Sequence, residues 1–258
     1  MKIKNIVLAL TSVLLFAGCG DDPAKTLDKV SSNMSKLDNY EMNMTLNMGI
    51  KSEGVEMTVP INVSANVDEK NKKASMDTTV EMMGFKVTTE SYLDMTGDKT
   101  ITYTKSVSDD EEWTKSESND QDISGMSDII KAGTKVSKKS TKEKDVIYYQ
   151  VTVSKETMEK YMKEMGDTED LTGTVEFNDD VVMDVYISKD KKYLKKIYID
   201  FSKFVKIEEE GTEMTEFNLE ISFDKYNKVG NVEIPQEVID NAVEEDETDY
   251  DFDYEEEV

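Results

Sequence analysis

Between Tyr40 and Val67 the chain alternates apolar and polar residues almost without a break. Tyr40, Met42, Met44, Leu46, Met48 and Ile50 alternate with Glu41, Asn43, Thr45, Asn47 and Gly49. Val55, Met57, Val59, Ile61, Val63, Ala65 and Val67 repeat the pattern against Glu56, Thr58, Asn62, Ser64 and Asn66. Successive side chains of a strand point to opposite faces, so this period of two predicts a hairpin of two long strands with one dry and one wet face. A dry face on a strand means that something covers it.

The pattern continues. After a polar turn at 68–73, Ala74, Met76, Thr78, Val80 and Met82 face one way and Asp77 and Glu81 the other. Gly84 allows a reversal into Phe85, Val87, Thr89, Ser91, Leu93 and Met95, and a turn at Thr96-Gly97-Asp98 leads to a fifth strand over 100–105. An acidic loop then runs to Trp113, the only tryptophan. This predicts an antiparallel meander with one solvated face.

Helical spacing marks three other stretches. Asp22 is an N-cap before Pro23, and Leu27, Val30, Met34 and Leu37 recur at spacings of three and four, predicting a helix that stops near Asp38. Ile123, Met126, Ile129 and Ile130 predict a helix over 122–132 with Gly133 after it, followed by a lysine-rich link to Lys144. A strand over 146–153 precedes a helix opened by Ser154, whose Met158, Tyr161, Met162 and Met165 share a stripe ending at Gly166. Strands are predicted again at 171–177 and 181–187, joined by Asn178-Asp179-Asp180, then at 194–204 and 217–223.

The first twenty residues say where the protein works. Lys2 and Lys4 precede an apolar run from Ile6 to Phe16, which ends in Phe16-Ala17-Gly18-Cys19. The small residues of a signal-peptidase site sit directly before the only cysteine, the nucleophile that a diacylglyceryl transferase requires. The segment resembles a bacterial lipoprotein signal, with Phe16 where leucine is usual. The run is too short to span a bilayer, which takes about 20 residues. Residues 1–18 thus read as a removed signal peptide, 19–23 as a lipidated tether on Cys19, 24–240 as a single domain and 241–258 as a disordered acidic tail. Glu244 to Val258 hold ten acids and no lysine, too polar to bury and order themselves. The expected place is the extracytoplasmic side of a bacterial membrane.

Charge and composition argue against several classes of function, and leave for catalysis only a carboxylate pair among the 56 acids. Without residues 1–18 the chain carries 29 lysines against 56 acids, a net −27, with neither arginine nor histidine. So acidic a surface repels nucleic acid and, in general, anionic headgroups. Catalysis lacks a histidine, the cysteine is consumed by the lipid, and no G-x-S-x-G, H-E-x-x-H or phosphate loop occurs. No cofactor is implied. Met42, Met44 and Met48 are thioethers of the kind that suit a soft metal, but no His or free Cys assists them. Asp249, Asp251, Asp253 and Glu255 echo an EF-hand spacing without its glycine. Neither is taken as a metal site.

The order of parts is familiar: an N-terminal helix, a long meander, Trp113 in the loop after it, a middle helical segment, a hairpin containing Asp184 to Ser188, and a closing Tyr226 with Val232, Ile234 and Pro235. It resembles the LolA and LppX-type lipoproteins and their relative, the sensor RseB, over roughly residues 24–240. The resemblance implies an α+β fold: a strongly curved antiparallel sheet, an incomplete β-barrel, with two or three helices packed on its concave face. It implies also a space between them for an acyl chain or another apolar ligand. No family motif matches position by position, so ligand-binding residues do not carry over.

From the residues alone, the candidate lining is the methionine-rich dry face. It comprises Met42, Met44, Leu46 and Met48 on the first strand, Met57, Val59 and Ile61 on the second, and Met76 on the third. Met126, Ile129, Ile130, Met158 and Met162 join it from the helices. Flexible, polarizable thioethers suit variable apolar guests, and they equally suit a solid core. Two functions follow as expectations: a noncatalytic anchored protein that binds a lipid or another hydrophobic molecule, or a cell-envelope sensor with a solid core that binds a protein partner.

Overall fold

The computed structural model describes residues 22–52, 54–82, 84–107, 112–119, 130, 132–164, 176–206 and 212–244. Its frame is an open twelve-stranded sheet. The described strands are β1 (Asn39–Ser52), β2 (Val55–Asp68), β3 (Lys73–Met82), β4 (Phe85–Asp94), β5 (Lys99–Ser106), β6 (Thr114–Asn119), β7 (Lys135–Lys139), β8 (Val146–Val153), β9 (Glu176–Phe177), β10 (Val181–Ser188), β11 (Leu194–Asp200), β12 (Val205–Lys206), β13 (Thr212–Asp224) and β14 (Val243–Glu244); β9 and β12 form a separate two-stranded sheet and the other twelve make the frame. The order across the sheet is β14-β6-β5-β4-β3-β2-β1-β13-β11-β10-β8-β7, antiparallel except for β14 on β6. The edges β14 and β7 do not pair, so the half-barrel stays open, an α+β architecture as expected.

The long strands follow from the alternation. β1 and β2 pair without a slip from Asn39↔Asp68 to Ser52↔Val55, and β3 and β4 from Lys73↔Asp94 to Met82↔Phe85. Gly54 at φ +82° and Gly84 at φ +84° close these hairpins in a conformation that L side chains rarely adopt. Both hairpins turn at the same end, here the tip end. The opposite, base end carries the turns at 69–72, 95–98, 140–145 and 189–193.

Three helices complete the described fold: α1 (Pro23–Met34), α2 (Lys155–Glu164) and α3 (Gln236–Asn241). Asp22 caps α1 by accepting from the Ala24 amide at 3.1 Å, and Ser154 Oγ accepts from the Thr157 amide at 3.3 Å to start α2. Leu27 and Val30 of α1 and Met158 of α2 pack into one core with Val67, Tyr149, Val185, Ile197 and Ile221 of the sheet. Phe177, Phe201 and Phe217 stack through tilted contacts in the same core, with centroids 6.1 and 5.1 Å apart.

The chain's closing segment pins the start of β1. The Asn227 amide donates to the Asn39 carbonyl at 2.7 Å, Asn227 Oδ1 accepts from the Asp38 amide at 2.7 Å, and Tyr226 donates to the Phe223 carbonyl at 2.8 Å.

Several expectations are corrected. The stretch at 176–177 does not form a hairpin with 181–187: β9 pairs with β12, while β10 pairs with β8 and β11. The strand expected through 204 stops at Asp200, where Phe201–Lys203 form a 3-10 turn. The lysine-rich link contains β7, and β6 follows the acidic loop. α1 ends at Met34 rather than near Asp38. Residues 241–244, expected to belong to the tail, finish α3 and form β14. Most of the helix expected at 122–132, the stretch from Met165 to Gly166 expected to end the helix opened by Ser154, and residues 245–258 lie outside the described residues.

Nor is the outer face of the meander uniformly wet. Tyr92, Ile101 and Tyr103 point to the face opposite Met76 and Leu93, where Ile234, Val238 and Trp113 cover them in a second, smaller core. Trp113 is an anchor of that core, 5.6 Å from the Tyr92 ring.

Candidate functional site

From β2 across to β8 the inner face is one continuous apolar surface. Cross-strand register aligns Met42, Met44, Leu46 and Met48 of β1 with Ala65, Val63, Ile61 and Val59 of β2 on one side and with Phe223, Ile221, Leu219 and Phe217 of β13 on the other. It continues through Ile197 and Ile199 of β11 to Val185 and Met183 of β10, then to Tyr149 and Val151 of β8. Direct neighbours in such pairs are close enough to pack, so these rows make one sheet-wide layer.

Its cover is uneven. Over β8, β10 and β11 the layer is sealed beneath the helices and aromatic residues, with Tyr149, Val151, Val185 and Ile197 at 0% exposure. Along β2 the same face opens progressively, from Val67 at 1% near the base to Met57 at 37% and Val55 at 71% at the tip. β3 and β4 behave alike, with Met82, Val87 and Phe85 exposed at the tip. Among the described residues nothing covers this end, so the structure presents a dry face that is closed at the base and open at the tips.

The expected lining residues divide accordingly. Met42, Met44, Leu46, Met48, Val59, Ile61 and Met76 are half-buried between the sealed core and the open tips, and Met57 is exposed. Ile130 and Met158, each 2% exposed, sit inside the sealed core. Met126, Ile129 and the Met162 side chain lie outside the described residues. The alternation could not distinguish the exposed Phe85 and Val87 from core residues, because both carry the same inward parity.

Beside this apolar field the inner face changes chemistry. On β4, β5 and β6 it presents hydroxyls: Thr89 and Ser91, then Thr102 and Thr104, then Thr114 and Ser116. Ser91 and Thr104 lie within hydrogen-bond reach at 3.4 Å.

The outer face carries a polar ladder over β8, β10, β11 and β13. Tyr148 and Tyr186 stack at 4.8 Å, Tyr148 donates to Asp184 at 2.8 Å, and Lys196 lies over Tyr186 while pairing with Glu220 at 3.2 Å. Burial first, and then the Asp184 hydrogen bond, pushes the Tyr148 phenol up to about 12, so it stays protonated at neutral pH. The ladder is a donor and stacking array rather than a base. Among the described residues no group of three or more His, Cys, Asp or Glu could hold a metal ion. Met42, Met44 and Met48 occupy one row of β1, in which neighbours two residues apart are about 7 Å apart along the strand.

The chain is similar in structure to LprF from Mycobacterium bovis, at 12% identity over 83% of this chain and 95% of that one, with a TM-score of 0.48. A beta-barrel-like protein of the domain of unknown function DUF1849 from Brucella abortus matches at 8% identity over 72% of this chain and 96% of that one, TM-score 0.30. A DUF1329 family protein from Desulfovibrio piger matches at 13% identity over 82% and 95%, TM-score 0.29. No protein-family model and no curated protein matches the sequence. Among the described residues no helix is long and apolar enough to cross a membrane.

Proposed function

We propose that this chain is a noncatalytic lipoprotein, anchored through Cys19 on the extracytoplasmic side of a bacterial membrane, that lays an acyl chain or similar apolar ligand on the inner face of β1 to β4. The observation that carries this reading is the exposure gradient along a single apolar face, from Val67 at 1% to Val55 at 71%. A solid-core sheet has no use for Met57, Met82, Phe85 and Val87 pointing inward at its open end. Each methylene removed from water there contributes roughly 0.8 kcal/mol, so an acyl chain is the simplest occupant with enough apolar length. The half-buried methionines of β1 and β3 are the proposed inner wall, adaptable because thioether side chains repack readily.

Native mass spectrometry of the mature chain purified from membranes, followed by solvent extraction, tests this. The expected result is a discrete noncovalent mass of lipid size, separable from the Cys19 anchor on denaturation. A mature chain that is always free of such a mass sinks the reading. The exposed tips also favour a second reading, an envelope sensor whose apolar tip end docks a protein partner. A lipid-free mature chain that co-purifies with one stoichiometric envelope protein would establish that reading instead.

A further inference from the structure

Charge is distributed unevenly over the fold. Residues 135–145 and 189–196 hold ten lysines against three acids, in a chain whose net charge is strongly negative. The sheet brings the two stretches together at its base end. The Lys189 amide donates to the Asp145 carbonyl at 3.0 Å, and the Lys189 ammonium reaches the Lys144 carbonyl, so the β7–β8 and β10–β11 turns touch. Lys138, Lys139, Lys142, Lys144, Lys189 and Lys191 are all exposed there.

The helix nearest the anchor packs on the same corner. α1 contacts β7 and β11, and Asn33 Nδ2 donates to the Lys191 carbonyl at 2.8 Å. Cys19 lies three residues before the N-cap Asp22. Residues 19–22 span at most about 14 Å, and a helix of this length about 18 Å. The corner therefore lies within reach of the surface in which the lipid sits.

We infer that this lysine corner is the face that the anchored domain lays against the anionic lipid headgroups of its own bilayer. The inference rests on the anchor in the proposed function and not on the ligand. At physiological ionic strength a charge is felt over about 8 Å, so the patch nearest the surface outweighs the distant acids that dominate the total. The diacylglyceryl group expected on Cys19 already holds the chain at the surface with two acyl chains, so a basic patch acts there by selecting which face of the domain meets the anionic headgroups. The acidic tail of the same chain is the competing occupant, but it leaves the sheet from β14, at the edge opposite β7 in strand order. With the base against the bilayer, the open apolar tips face the aqueous compartment.

The test is lysine footprinting of the full lipidated protein in phosphatidylcholine vesicles, in phosphatidylcholine–phosphatidylglycerol vesicles and in detergent, using a water-soluble acylating ester and peptide masses. Acylation of the six corner lysines is expected to slow several-fold only on the phosphatidylglycerol vesicles and to recover in high salt. Lys51 and Lys86 at the tips should react alike in all three. Equal corner rates everywhere, or protection of Lys51 and Lys86 instead, would overturn the inference. Corner protection that persists in detergent and disappears on removal of 245–258 would assign the corner to the tail and overturn it too. The same digest reports the Cys19 peptide: without an acyl mass it is the anchor that fails, whereas unprotected lysines beside an acylated Cys19 defeat the orientation alone.

Discussion

Asp68 shows how a single side chain ties the closing segment to the meander. It is 1% exposed at the base turn after β2, where Oδ1 accepts from the Asn71 amide at 3.0 Å and Oδ2 accepts from Asn71 Nδ2 at 2.8 Å and from the Val232 amide at 3.0 Å. Burial alone raises its pKa, but the hydrogen bonds from Asn71 and Val232, helped by Lys70, outweigh it and hold the carboxyl below its ordinary value of 3.8. Asp68→Ala leaves three donors without their acceptor, one of them the buried Val232 amide, at an expected cost of about 2–3 kcal/mol. A depressed pKa in the folded state contributes stability that is present above the unfolded pKa and is lost as pH falls through the folded one. Urea titrations should therefore show a constant gap between the parent and Asp68→Ala from neutral pH down to about 4, and a narrowing gap below that. The same gap at pH 3 as at pH 7 would show that the charge contributes nothing. The sequence marks Asp68 only as the first residue of a polar turn, since its third partner lies 164 positions away.

At the scale of elements, α3 and β14 close the outer core although both are very short. α3 has six residues and one fully buried side chain, Val238 at 2%, packed with Ile234 on Tyr103. Val238→Ala removes two methylene equivalents and leaves a small void, so it should cost about 2 kcal/mol in a urea or thermal denaturation. The exposed neighbour Ile239→Ala should shift stability by less than about 0.5 kcal/mol; equal losses would mean that α3 does not dock through Val238. These elements also show what a sequence pattern can carry. β1 to β4 are legible because ten to fourteen residues repeat a period of two. β6, Thr114–Asn119, contains no apolar residue and β7 contains only Val136, so neither has an alternation to read. Each sits near an edge and owes its place to backbone pairing with a well-marked neighbour, β5 or β8. β5 is ambiguous for another reason: Ile101 and Tyr103 face outward under Ile234 and Val238, while Thr100, Thr102 and Thr104 face inward. A strand with two covered faces does not announce which is the main core.

For the whole molecule the decisive property is the gradient of cover along the inner face, and it belongs to no single element. The methionine rows of β1 to β3 are legible in the sequence as a dry face. Their exposure depends on what lies opposite: the core that α1, α2, Phe177 and Phe201 join is sealed over β8, β10 and β11, and it reaches β1 to β3 at the base, at Tyr40, Val67 and Ala74. The gradient separates ligand binding from stability in a way that a sealed core does not allow. Met57 and Val87, at 37% and 47% exposure, make few of the contacts that hold the fold, so Met57→Asp and Val87→Asp should alter the urea midpoint little. In the proposed site each puts a carboxylate beside an acyl chain. Displacing about three methylenes of contact costs roughly 2–3 kcal/mol, which is a 30- to 160-fold weaker complex. Thr58→Asp is the matched control: it adds the same charge to the same exposed end of β2, but on the outer face. Lipid occupancy measured by native mass spectrometry on the three variants should fall for Met57→Asp and Val87→Asp and hold for Thr58→Asp. A uniform fall would mean that acidic charge at the tips matters rather than the inner face. Unchanged occupancy in all three would place the lipid away from the open end of β2 and β4, against the one feature of the fold that distinguishes a lined face from a packed one.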